Sequence, residues 1–245
     1  ITAIGNSAFL GCSNLANVNI PSSVISIGDN GFLGCQSLTS ITIPSSVTSI
    51  GKFAFTGCSA LRNIIINSYL ANYTLAFAYL VSQQNLEITF DYAGAIPTSA
   101  CSDITKLTRV IIGPNITNIG PSAFYNCSSL NNVSIPSSVT NIGESAFEKC
   151  TSLTSITIPR TVRTIGSYTF LGCSSLTSIT LENGITSIGI NMFKGCTALT
   201  SVTIPSSVIN IGAGPFSSCS ALTSVTLENG ITSIGVFMFY LCSAL

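Results

Sequence analysis

The chain has 245 residues, 46% of them hydrophobic and only 7% charged, with eight basic and eight acidic side chains, ten cysteines and no histidine. Zero net charge gives no electrostatic footprint for a phosphate backbone and no polybasic patch for anionic lipid, which argues against nucleic acid and lipid headgroups as partners. No apolar run approaches the roughly 20 residues of a membrane helix, so no membrane insertion by this chain is expected.

From the first residues onward the chain repeats. Cysteine falls at 12, 35 and 58, and again at 127, 150, 173, 196, 219 and 242, always 23 residues apart within a block. The gap from Cys58 to Cys127 is 69 residues, three periods, so the register survives the interruption. A phenylalanine stands three residues before each of these cysteines, a leucine three residues after, and an Ile-Gly pair precedes each phenylalanine. A fixed period of this length specifies a solenoid, in which each coil buries its apolar side chains only against its neighbours.

Within one unit the elements follow in order. Leu38 to Ile43 alternates, so Ile41 and Ile43 point inward while Ser40 and Thr42 point out, as in a strand. Pro44-Ser45-Ser46 turns the chain, because proline presets its dihedral and serine bonds the local backbone. Two later units turn instead on Glu182-Asn183-Gly184 and Glu228-Asn229-Gly230. Val47 to Ile50 supplies a second short extended edge, Gly51 a bend, and the stretch around Phe55 a helical turn. Stacked coils then lie at the parallel-strand spacing of about 4.8 Å.

The string IPSSVTSIGxxAFxGCSSLTSI, repeated over residues 1–66 and 107–245, resembles the units of BspA-like leucine-rich-repeat proteins. The resemblance implies a right-handed superhelix with a parallel β-sheet on its concave face. It also implies a place on the surface of bacteria or protists, and adhesion or protein binding rather than catalysis. The whole chain reads as one solenoid of regular repeats at 1–66 and 107–245. It opens at Ile1 and stops at Leu245 midway through a unit, as a fragment of a longer protein does.

Residues 67–106 depart from the unit. Leu70, Tyr73, Phe77 and Leu80 fit one face of a helix, and NLEITFDYAG reads as a strand followed by a turn. The segment is a binding insert or a pair of degenerate coils, and four of the seven tyrosines fall in it: Tyr69, Tyr73, Tyr79 and Tyr92.

Nine of the ten cysteines occupy one equivalent slot. Their neighbours would lie within disulfide range, yet in-register side chains point the same way, and buried free thiols acting as small hydrophobes fit the ladder better. Without histidine a zinc site lacks its usual ligand mix. Cys101 is the exception, falling 23 residues before Phe124, where a phenylalanine is expected.

Catalysis has little support. The commonest general base is missing, and the eight carboxylates form no acid/base signature. Glu87 and Asp91 read as two solvated side chains of an extended run. No cofactor is expected.

Recognition remains. The outward residues of each main strand form two columns, which are Ser and Thr throughout residues 155–226. Identical hydroxyls carry little information for choosing a partner. The columns change around the irregular segment, at Asn63, Ile65, Arg109, Ile111 and Asn132, and arginine with exposed apolar groups resembles an interface anchor. With Tyr69, Tyr73 and Tyr92 these are the expected partner-binding residues, tyrosine being enriched at interfaces. Glycosylation patterns begin at Asn72, Asn115, Asn126 and Asn132.

The expected function is a cell-surface or secreted binding module for a host matrix protein, a cell-surface protein or a second copy of itself, with glycan a further partner class. Alternatives are a structural spacer or filament, and a binder of ice or another ordered surface through the Ser/Thr arrays.

Overall fold

The computed structural model describes residues 1–70, 76–77, 85–231 and 233–245, and these contain eighteen short strands, numbered in chain order. One series lies on the face where the repeat leucine begins each unit. It comprises β3 (Ser40–Ile43), β5 (Asn63–Ile66), β6 (Leu86–Phe90), β8 (Leu107–Ile112), β10 (Asn132–Ser134), β12 (Ser155–Ile158), β14 (Ser178–Leu181), β16 (Ser201–Ile204) and β18 (Ser224–Leu227). The second series follows each corner: β1 (Ala3–Ile4), β2 (Ser26–Ile27), β4 (Ser49–Ile50), β7 (Gly94–Ile96), β9 (Ile116–Ile119), β11 (Asn141–Ile142), β13 (Thr164–Ile165), β15 (Ser187–Ile188) and β17 (Asn210–Ile211). All pairing is parallel and between successive coils, Ser40 beside Asn63 and Ser155 beside Ser178. Parallel strands joined by crossovers of this kind wind right-handed.

Alternation in the sequence becomes alternation in burial. Ile41 and Ile43 are inside and Ser40 and Thr42 outside, and the same in-and-out order recurs in β12 and β16. Between them the repeat phenylalanines stack in a column, with ring centroids 5.0–5.9 Å apart and planes within 2–21° of parallel.

The helical turn expected around each phenylalanine is not formed. Two residues before and two after the ring the backbone is left-handed, at Asn30 and Gly34 around Phe32, and at Ser145 and Lys149 around Phe147. These residues interrupt any α-helix and turn alternate N–H groups sideways, onto the next coil. Asn30, Phe32 and Gly34 donate to Lys52, Ala54 and Thr56 at 2.8–2.9 Å, while Cys35 donates back to Phe32 O at 3.1 Å. The helix expected over Leu70–Leu80 falls largely outside the described residues.

Gly51 makes no left-handed bend. A Cβ there would meet Asp29 N at 2.3 Å, so glycine is required because the coils touch backbone to backbone.

β6 pairs with β5 on one side and β8 on the other, with a register shift at Leu86/Glu87. The aromatic column passes through the same region with unequal steps, Phe55 stacking on Phe77 at 5.4 Å. Cys101 then takes the phenylalanine slot. Its N–H bonds Ala123 O at 2.7 Å as Phe124 N–H bonds Ala146 O at 2.8 Å, and left-handed Ser99 and Asp103 flank it. The volume lost there is made up by Phe90, in register with Ile66 and Ile112, which meets Phe124 edge-on at 6.1 Å.

All ten cysteines are free, eight of them buried. Each ladder thiol from Cys35 onward donates S–H to the main-chain oxygen of the aromatic-slot residue one coil earlier. Examples are Cys58 to Phe32 O at 3.2 Å and Cys127 to Cys101 O at 3.1 Å.

Candidate functional site

The first series of strands is not one sheet. Where a coil's corner begins with a residue that has an N–H, that group donates to the last strand residue of the preceding coil. Asn67 donates to Ile43 O at 2.9 Å, Asp91 to Ile66 O at 2.8 Å, Gly113 to Phe90 O at 2.8 Å, Glu182 to Ile158 O at 3.1 Å and Glu228 to Ile204 O at 3.1 Å. Pro44, Pro136, Pro159 and Pro205 hold the same position and have no N–H to give. Pairing across each of these prolines is shortened or lost. β8–β10 keeps three residue pairs, and β10–β12 and β14–β16 do not pair. The result is a five-stranded sheet β3–β5–β6–β8–β10, then the pairs β12–β14 and β16–β18.

Five of the expected site residues gather on the five-stranded sheet. One outward row reads Ser40, Asn63, Glu87, Arg109 and Asn132, and the next reads Thr42, Ile65, Thr89, Ile111 and Ser134. Arg109 donates through a terminal nitrogen to Glu87 Oε2 at 3.3 Å, the guanidinium side chain 57% exposed and the carboxylate 26%. An ion pair this open contributes about 0–1 kcal/mol to the fold, so its charges stay available to a partner. Ile65 and Ile111 are half-buried beside it, Asn132 is exposed, and Asn63 Oδ1 is buried without a hydrogen-bond partner.

The tyrosines lie off this face, beyond the strand ends. Tyr69 is exposed and meets Tyr92 edge-on at 6.3 Å. Tyr92 itself is buried, its hydroxyl donating to Ala95 O at 3.0 Å, so it supports Tyr69 from beneath rather than offering a surface of its own. Tyr73 lies outside the described residues.

Glu87 and Thr89 complete the rows and were missed as site residues. LEITF lacks one residue relative to LRNIII, so counting from the leucine puts Glu87 off the column. The shift at Leu86/Glu87 restores it. Aligning on Ile88 instead of Leu86 would have found both residues.

Two of the other carboxylates have structural work. Glu182 Oε2 accepts the Arg160 N–H at 3.0 Å and Glu228 Oε2 the Ser206 N–H at 2.8 Å, each capping the proline corner one coil earlier. Among the described residues no group of three His, Cys, Asp or Glu side chains could hold a metal ion, and no helix is long and apolar enough to cross a membrane.

A coil of parallel strands with a periodic Leu-Ile-Phe interior, carrying its one ion pair among the described residues on the sheet, defines a leucine-rich-repeat solenoid. Residues 1–93, 73–186 and 163–245 match the BspA type leucine rich repeat region, and the chain belongs to that family. Among solved structures it is similar to a leucine-rich repeat protein from Bacteroides ovatus, at 27% identity and TM-score 0.69, covering 100% of this chain and 69% of that one. A leucine-rich repeat protein of T. pallidum shares 26% identity over 90% of this chain and 82% of that one, at TM-score 0.46. A leucine rich cell surface protein from Faecalibacterium prausnitzii shares 24% identity over 100% and 82%, at TM-score 0.40. No functionally curated protein matches significantly.

Proposed function

We propose that this chain is a non-catalytic binding module, displayed on a cell surface or secreted, that engages a matrix or cell-surface protein of a host through its five-stranded sheet. The observation that carries this reading is the Glu87–Arg109 pair set beside half-buried Ile65 and Ile111, in rows that are only Ser and Thr in the coils of residues 155–226. Charge beside exposed apolar area, on a rigid sheet, is how interface hot spots are built. Membership of the BspA-type family supports a binding role. The ordered-surface alternative loses ground because the Ser/Thr columns are divided between β14 and β16 instead of forming one lattice.

The test is biolayer interferometry against a panel of immobilised extracellular-matrix proteins. Arg109→Ala combined with Ile111→Ser is expected to weaken capture by about tenfold or more, which corresponds to hot-spot loss. Ser178→Ala with Thr180→Ala, on the uniform part of the sheet, should leave capture unchanged. No capture of any matrix protein by the unaltered chain would refute the reading.

A further inference from the structure

The break between β10 and β12 opens a cleft of about 550 Å³. Its origin is Pro159, which cannot donate to Ile135 O as Glu182 donates to Ile158 O one coil on. The two strands stay too close for anything as wide as a third strand to enter. Some of their Cα atoms lie within 8 Å of each other, whereas a strand inserted between them would need about 9.6 Å, twice the usual spacing. The cleft therefore suits a compact ligand, and its volume lies within the span of about 300–1,000 Å³ usual for small-molecule sites.

Half of its lining is neutral and hydrogen-bonding. Asn132 and Ser134 face it from β10, Ser155 and Thr157 from β12. At the corner stand Arg160 and Glu182, one charge of each sign, and the carboxylate is already turned to the Arg160 N–H. Two hydroxyl oxygens of the flanking corners, Ser138 Oγ and Thr161 Oγ1, are buried with no partner. Their counterpart Ser46 donates to Val24 O at 2.7 Å, and Ser23 donates to Ile1 O at 2.8 Å. Unpaired buried hydroxyls call for an explanation, and here they coincide with the interrupted ladder, with Thr161 lining the cleft itself.

We infer that this cleft binds a neutral saccharide, with ring hydroxyls bridging the Asn132/Ser134 and Ser155/Thr157 edges and reaching the Glu182 carboxylate at the corner. Alternating donors and acceptors without net charge complement a polyol and give an anion or a cation no advantage. Half-buried Pro159 offers apolar contact to the C–H face of a sugar ring, above the buried Val133, Ile135 and Ile156. The site shares Asn132 and Ser134 of β10 with the outward rows of the proposed protein-binding sheet and stands whether or not that reading holds.

The experiment is titration calorimetry of the intact chain with maltotriose, mannotriose and triacetylchitotriose, each to about 10 mM, a range that reaches weak single-site affinities. At least one trisaccharide should bind. Ser155→Phe, which fills the cleft from an exposed position, should weaken binding by about tenfold or more, and Asn132→Ala should weaken it too. Pro159→Ala, which restores the N–H that lets β12 close on β10, should also lower affinity. Ser201→Phe, at the equivalent outward position of β16, should bind as the unaltered chain does. Far-UV circular dichroism confirms that each variant keeps its fold. Absence of binding to all three sugars, or undiminished binding by both Ser155→Phe and Asn132→Ala, would overturn the inference, as would heat from a short β-forming peptide and none from the sugars.

Discussion

In the coils from Cys35 onward that carry it, the ladder cysteine is a small apolar filler that also satisfies a main-chain oxygen, a combination that neither alanine nor serine supplies. Sulfur is bulky enough to fill the space behind the aromatic column, and its weak S–H donor suits an oxygen that already accepts one N–H. Burial pushes the thiols of Cys58, Cys173 and Cys219 from 9.0 up to about 12. In Cys58 the neighbouring Cys35 adds to the rise, and the main-chain hydrogen bonds oppose it. The folded chain thus holds protons that the unfolded chain releases in the ordinary thiol range. That stability is fully present below pH 9.0 and is lost progressively towards pH of about 12. The urea midpoint should stay level up to about pH 8.5 and fall above it. Alkylation of the native protein at about pH 8 should reach exposed Cys12 first and half-buried Cys242 partly, leaving the buried eight unlabelled until denaturant is added. Rapid labelling of all ten in the native state would contradict the buried ladder.

At the scale of elements, the repeat was readable where side-chain alternation decides and unreadable where backbone geometry does. Ser40–Ile43 and Leu86–Phe90 are strands where alternation predicts them. The coil around Phe55 is not helical, because its left-handed residues include Phe53 and, elsewhere, Lys149 and Tyr168, types that carry no composition signal for that conformation. Arithmetic placed Cys101 in an aromatic slot, but nothing local in the sequence marks Phe90 as its compensation. The two residues belong to different elements and meet only after the 22- and 24-residue steps from Phe55 to Phe77 and on to Cys101. Their exchange of volume makes a measurable coupling. Cys101→Phe alone should overpack the column and cost about 1–3 kcal/mol, and Phe90→Ile alone should leave a cavity costing about 1–2 kcal/mol. Combined, they rebuild a regular coil, and the double variant should be more stable than the sum of the singles by at least about 1 kcal/mol in urea unfolding. Simple additivity would mean that the two sites do not share one space.

Across the whole molecule, proline at the corner divides a uniform repeat into separate sheets. Corners with an N–H hold the β3-to-β8 ladder together, with one register shift at Leu86/Glu87, and that ladder carries the irregular outward residues. Proline corners interrupt the Ser/Thr part, and the first complete interruption beyond the five-stranded sheet is the cleft at Pro159. The proline positions were visible in the sequence, but their effect on the sheet depends on the coil before each one, which only the pairing reveals. The near-identical coils build the wall, and the departures from them are where we propose that partners meet it. The direct test is to make the sheet regular. Asn63, Ile65, Glu87, Arg109 and Ile111 are replaced together by the Ser and Thr of the 155–226 units, and matrix-protein binding is compared with that of the unaltered chain by biolayer interferometry. The regularised chain should keep its circular dichroism spectrum and lose binding by about a hundredfold or more, as removal of several anchors does. A regularised chain that folds and binds undiminished would show that recognition does not reside in the irregular rows.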